Sequence, residues 1–264
     1  MEASESERAN DGRPSLSPVI LPSVSLPHLL QHLIRSQERP TTLVVCSTRE
    51  DFLHDLLHAL AASSSVTVAS VAGDTGGRST ALQEALLHPL LVPTLQLLSA
   101  SQNVTVAFCP SLPTLHAYLS AHPSRIASAL SDHPHNRTST PVFLLLNSIA
   151  LHRNTSAFSA QGLSRTFAAA VEAAHFARQR LTIVECPLDD SDQCAEHEDG
   201  LEDRERAEAR QQAATTSDSW DEEVSILNVT TKSFGAGERG WVGRTVKIRQ
   251  VVGRWGVFAT IDDL

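Results

Sequence analysis

Cysteine is scarce in this chain: Cys46, Cys109, Cys186 and Cys194 are all there are in 264 residues. None of them forms a Cys-x-x-Cys pair, so a structural zinc site is not expected. The first three each end an apolar run, which reads as buried free thiols in a reducing compartment. Long hydrophobic runs are missing too. No apolar stretch approaches the roughly 18 residues that a membrane span requires, so no membrane contact is expected. Residues 1–18 lack a basic segment followed by an apolar one, and no secretory signal is expected there. Asn103, Asn136, Asn154 and Asn228 head Asn-x-Ser/Thr triplets, which without a signal read as chance matches rather than glycosylation sites. There is no internal repeat.

A uniformly basic character is absent as well. The formal net charge is −9, from 21 Lys and Arg against 30 Asp and Glu, which argues against a nucleic-acid coat protein. The charge is divided along the chain, acidic over residues 185–223 and basic over 232–254. Length and an ordinary apolar content suit a single large α/β domain over residues 19–264. Residues 1–18 read as a disordered tail. Residues 187–218, acidic and poor in large apolar side chains, read as a flexible insertion.

What is present is a strand, a helix and a strand in series. Pro141-Val142-Phe143-Leu144-Leu145-Leu146-Asn147 is nearly all apolar; residues 158–174 carry a helical pattern; Arg180-Leu181-Thr182-Ile183-Val184-Glu185-Cys186 is apolar again. Continuous apolar strands joined by a helix predict a parallel sheet covered on both faces. Upstream, residues 26–35 have helical leucine spacing, residues 42–46 read as a buried strand, and residues 50–62 as a helix with Glu50 and Asp51 in its first turn. Residues 66–71 and 104–109 read as further strands, residues 80–100 as interrupted helix, 113–121 as the start of another helix, and 122–140 as a Pro-rich loop. Toward the end, residues 224–229, 244–249 and 255–259 read as strands, the last two forming an antiparallel hairpin turned at Gly253.

Chemistry is harder to find. A phosphate loop needs Gly-x-x-x-x-Gly-Lys-Ser/Thr after the first strand, so that backbone amides wrap the phosphates. Here the first strand runs into Cys46-Ser47-Thr48-Arg49-Glu50-Asp51, with no glycine and two carboxylates that would repel a triphosphate. Gly73-Asp74-Thr75-Gly76-Gly77-Arg78-Ser79-Thr80 imitates the motif, but the second required glycine falls on Arg78, and the segment reads as a plain turn. No Gly-x-Ser-x-Gly elbow occurs. His54 and His58 have a spacing that could ligate a metal, yet an exposed helix face explains them at less cost, and no metal is expected. The C-terminal basic region offers more. Lys232, Arg239, Arg244, Lys247, Arg249 and Arg254 lie among Phe234, Trp241 and Trp255, a composition suited to phosphates and stacked bases. The alternatives are a solvated hairpin whose tryptophans enter the core and a docking surface for an acidic partner. The acidic segment before it could fold over these cations and screen them.

The layout resembles that of the RecA/recombinase family and its divergent paralogues over roughly residues 40–260. The resemblance is carried by Val142 to Asn147 and by Phe158-Ser159-Ala160-Gln161-Gly162-Leu163-Ser164-Arg165 opening the next helix. It implies a RecA-like, mostly parallel sheet flanked by helices, finished by a C-terminal antiparallel hairpin. In RecA-type ATPases the first of these strands ends in a Mg²⁺-binding aspartate. Asn147 stands in that slot, and Ser47, Thr48 and Arg49 stand where the phosphate loop would be. The resemblance therefore implies a pseudo-ATPase without a cofactor, not an enzyme, partnered by RecA-like subunits in a heteromeric complex of the nucleus and/or cytoplasm. Small subunits of this kind in Shu-type complexes assist recombinase loading on single-stranded DNA, which implies a role in homologous recombination and DNA repair. A second family resembled is the ring of RecA-like subunits in Elongator, whose small subunit without a phosphate loop supports tRNA wobble-uridine modification, with tRNA as the client. A metabolic α/β enzyme is a third reading, weakened by the lack of a convergent acid/base or nucleophile set.

Overall fold

A computed structural model of the chain describes residues 16–36, 39–71, 88–132, 140–153, 155–187, 218–227 and 244–263. Six strands form one wholly parallel sheet in the order β3-β2-β4-β5-β1-β8. They are β1 (Val19–Ile20), β2 (Thr41–Val45), β3 (Val104–Phe108), β4 (Val142–Leu146), β5 (Arg180–Val184) and β8 (Val257–Phe258). The helices are α1 (Leu26–Arg35), α2 (Arg49–Val71), α3 (Leu95–Ser101), α4 (Leu112–Asp132), α5 (Ser148–Arg153), α6 (Ala160–Phe176) and α7 (Ile248–Val252). A separate antiparallel pair, β6 (Glu223–Ser225) with β7 (Thr245–Lys247), lies near the C-terminus. The expected α/β class, a parallel sheet flanked by helices with an antiparallel pair late in the chain, is what forms.

The reason is visible in β4. Phe143 and Leu145 enter one core with Val44, Leu181, Ile183 and residues of α4, α6 and α7. Val142, Leu144 and Leu146 enter the opposite core with Leu43, Val45 and the leucines of α1. A strand buried on both faces favours apolar residues throughout, and all five residues of β4 are apolar and buried. Counted from β2, the long strands lie second, first, third, fourth, a doubly wound order. Such sheets leave a crevice at the carboxyl ends where winding reverses, here between β2 and β4.

Several expectations are corrected. Residues 66–71 are not a strand: α2 continues to Val71, since Ala61-Ala62-Ser63-Ser64-Ser65 contains neither glycine nor proline to stop it. The expected loop over 122–140 is helical to Asp132, and Pro123 sits inside α4. Residues 148–153 form α5 where a polar loop was expected. The strand expected at 244–249 is confined to Thr245–Lys247. Ile248, Val251 and Val252 recur at helical spacing and are buried as one face of α7, which places Arg249 on a helix. Val257 and Phe258 do not return against that strand but join β1 in parallel, and β7 pairs with β6 instead. The expected tail (to residue 15), the glycine-rich segment 73–80, most of the acidic insertion (188–217), Cys194 and residues 228–243 lie outside the described residues.

The entry to α6 is held by a close approach. Ser159 caps the helix, its hydroxyl accepting from the Gly162 amide at 3.2 Å, and a Cβ on Gly162 would stand 2.0 Å from the Ala157 carbonyl oxygen. Alanine for glycine within a helix ordinarily gains about 1 kcal/mol. Gly162→Ala should instead destabilise, by about 2 kcal/mol or more, because the clash is with main chain. The midpoint of urea unfolding measures this; a raised midpoint would mean that the 155–159 turn yields freely.

Candidate functional site

The ends of β2 and β4, which flank the crevice, lead into the residues singled out at the degenerate nucleotide motifs, Ser47, Thr48, Arg49 and Asn147. After β2, Thr48 caps α2: its hydroxyl accepts from the Asp51 amide at 3.0 Å and donates to the Asp51 carboxylate at 2.7 Å. Ser47 donates to the Thr48 carbonyl, and Arg49 and Glu50 are exposed. The helix terminus thus presents Glu50 and Asp51 where a phosphate would approach, and its macrodipole is already met by acidic side chains.

Asn147 closes β4 with φ of 58°, a left-handed conformation that asparagine tolerates better than most residues. Its side-chain oxygen accepts from the Cys186 amide at 2.7 Å, and its own amide donates to the Val184 carbonyl at 2.9 Å. The residue in the expected metal slot is thus a brace between the ends of β4 and β5. Beside it, Glu185 is buried, and one of its oxygens accepts from both the Ile149 amide at 2.8 Å and the Ser148 hydroxyl at 3.1 Å. Burial drives its carboxyl pKa from 4.5 up to about 7, partly opposed by these hydrogen bonds and by Arg153. The sequence reading grouped Glu185 with the acidic segment. Its signal was position, a lone acid closing the run Leu181-Thr182-Ile183-Val184.

The neighbouring thiols are poorly suited to attack. Cys46, Cys109 and Cys186 are free and buried, as expected. Burial pushes the Cys186 thiol up to about 12, with the Glu185 charge adding, and raises Cys46 and Cys109 as well. His54 and His58 stay on an exposed face of α2. Among the described residues no three His, Cys, Asp or Glu are grouped to hold a metal.

A buried polar chain escaped the sequence reading. His152 Nδ1 donates to the Ser148 carbonyl at 2.8 Å; burial lowers its pKa and keeps it neutral, so its Nε2 accepts from the Thr166 hydroxyl at 3.1 Å. The Thr166 oxygen then accepts from His116 Nε2 at 2.9 Å, which ties α4, α5 and α6 together.

The basic region is partly self-neutralised. Arg249 reaches Asp218 at 3.0 Å and Asp221 at 3.5 Å, and its guanidinium lies 4.8 Å from the Phe258 ring centroid. Lys247 reaches Asp221 at 3.5 Å. The end of the acidic segment therefore does lie against these cations. Arg244 and Arg254 are exposed and form no ion pair among the described residues. Trp255 is half-buried against the core, while Lys232, Arg239 and Trp241 lie outside the described residues.

At the other end of the sheet, β3 has a neighbour on one side only among the described residues. Apolar side chains are exposed on it and on nearby elements: Val106 on β3, Leu95 and Leu98 on α3, Leu53 and Leu57 on α2, with Leu95 85% exposed.

Glu185 gives a pH prediction. A folded-state pKa above the unfolded one means that its contribution is fully present below about 4.5 and is lost as pH rises through about 7. Glu185→Gln keeps the accepting oxygen and removes the charge. It should stabilise the protein at pH 8 by on the order of 3 kcal/mol and by little near pH 5. Urea unfolding of both proteins at the two pH values checks this; an equal effect at both would exclude the buried carboxylate as the cause. In a Cys194→Ser background, the three buried thiols should react with an aromatic disulfide only as fast as the protein opens. No family model matches the chain, and no curated protein matches it.

Proposed function

We propose that this chain is a non-catalytic subunit of a heteromeric complex and works through protein contact. The observation that carries the reading is the uncharged edge strand Val104-Thr105-Val106-Ala107-Phe108 beside exposed leucines of α2 and α3. Natural sheets guard their edges with charge, proline or a bulge. This edge has none of these along its length, and a sizeable exposed apolar surface marks an interaction site. The carboxylates at the α2 terminus and the engaged side chain of Asn147 support a pseudo-ATPase role for the crevice.

The complex proposed is one of RecA-like subunits in the nucleus and/or cytoplasm, assisting homologous recombination and DNA repair on single-stranded DNA. One observation favours the alternative, the small RecA-like subunit of Elongator in tRNA wobble-uridine modification. Of the basic region whose composition suits DNA, Lys247 and Arg249 are already paired with Asp218 and Asp221.

Affinity purification of the tagged chain from its own cells, with mass spectrometry of what it retains, tests the reading. RecA-like subunits should be recovered with the wild type and largely lost with Leu95→Glu/Leu98→Glu, whose substitutions are at exposed positions and should leave the thermal transition within a few degrees. Recombinase paralogues would support the repair role, and Elongator subunits the tRNA role. A chain that elutes alone as a monomer would overturn the subunit reading. Calorimetry with Mg-ATP should show no binding heat; tight binding would overturn the pseudo-ATPase role.

A further inference from the structure

A groove of about 430 Å³ opens between the start of α6 and the β6–β7 unit. This is within the size range of ligand sites, and it shares no lining residue with the β3 edge or with the β2–β4 crevice. Its aliphatic lining is Ile226, Leu227, Val246 and Val251, of which Ile226 and Leu227 are exposed at 41% and 56%. Its rim carries Gln161, Gln250 and Arg254. The two amide side chains make no hydrogen bond within the protein among the described residues.

The charges around the groove are unequal. Arg153, Lys247 and Arg249 each have a carboxylate partner, in Glu222, Asp221 and Asp218 respectively. Arg254 on the rim has none among the described residues, and neither does Arg244, whose carbonyl accepts from the Ile226 amide at 3.0 Å. An acidic group is the complement that the described residues around the groove do not supply.

We infer that this groove docks an extended peptide segment of a partner protein, bearing an aliphatic side chain for Ile226 and Leu227 and a carboxylate for Arg254. Two free glutamine amides offer both donors and acceptors, which suits a peptide main chain. Nucleic acid fits less well, because among the described residues no aromatic side chain lines the groove to stack a base. The inference rests on the reading of this chain as a partner-binding subunit and adds where one partner is gripped.

The test uses the full chain as bait for a phage-displayed library of random short peptides, followed by fluorescence anisotropy of the enriched peptides. Enrichment of sequences with Asp or Glu next to Leu, Ile or Val is expected. Their affinity should fall about tenfold or more with Arg254→Glu, remain nearly unchanged with Arg254→Lys, and weaken as salt rises. Leu227→Asp, at an exposed position, should weaken binding similarly, and circular dichroism should report an unaltered fold for all three variants. Enrichment without an acidic preference, affinity indifferent to Arg254→Glu, or a labelled oligothymidine that binds in the groove in place of peptide would each overturn the inference. Loss of the groove with partners still co-purifying would leave the subunit reading intact; absence of any co-purifying partner for the wild type would remove that reading first.

Discussion

The central requirement is that β4 must be covered on both faces and paired on both edges. Its main chain is bonded to β2 and β5 in unbroken register, from Thr41 opposite Val142 through to Leu146 opposite Val184. A parallel strand in this position tolerates neither water nor an unpaired polar group. Helices therefore have to lie above and below it, and the chain changes face on leaving β3. That change of face puts Ser47 and Asn147 at the carboxyl ends of the two strands flanking one crevice, with Glu185 buried at the end of β5. The crevice follows from the sheet, whatever uses it.

Charge serves two different ends in the molecule. At the crevice one carboxyl is buried and hydrogen-bonded to α5, where its ionisation is costly. Around β6 and β7 the ion pairs are half-exposed, and such pairs contribute about 0–1 kcal/mol each. They do not hold that unit to the sheet. Trp220, Val224, Ile248 and Val252 do, each almost completely removed from water and continuous with the core beneath α6. The pairs decide which cations remain available at the surface.

How much was legible in the sequence depended on how local the signal was. β4 announced itself because all five of its positions are apolar, and β5 because Leu181, Ile183 and Val184 make it nearly so. α6 did so through the helical pattern of residues 158–174. β1 did not, because two residues, Val19 and Ile20, are too short for any period and are a strand only through β5 and β8. α7 was hidden by Arg244 to Arg249, whose alternation imitates a strand, although Ile248, Val251 and Val252 already carried the helical spacing. The position of Asn147 was legible, but its role was not: its partner is the amide of Cys186, 39 residues on. Glu185 was missed because composition averages over a window, and burial acts on a single residue.

The pairing of β1 with β8 sets Val19 opposite Val257 and Ile20 opposite Phe258. In synthesis from the N-terminus, β1 emerges early and finds its first partner only when β5 exists and its second only when β8 does. Until then it is a short apolar stretch whose main chain is paired with no strand, and contacts of such long sequence separation form slowly. Closure of this side of the sheet is thus a late event, which waits for residues 257–258.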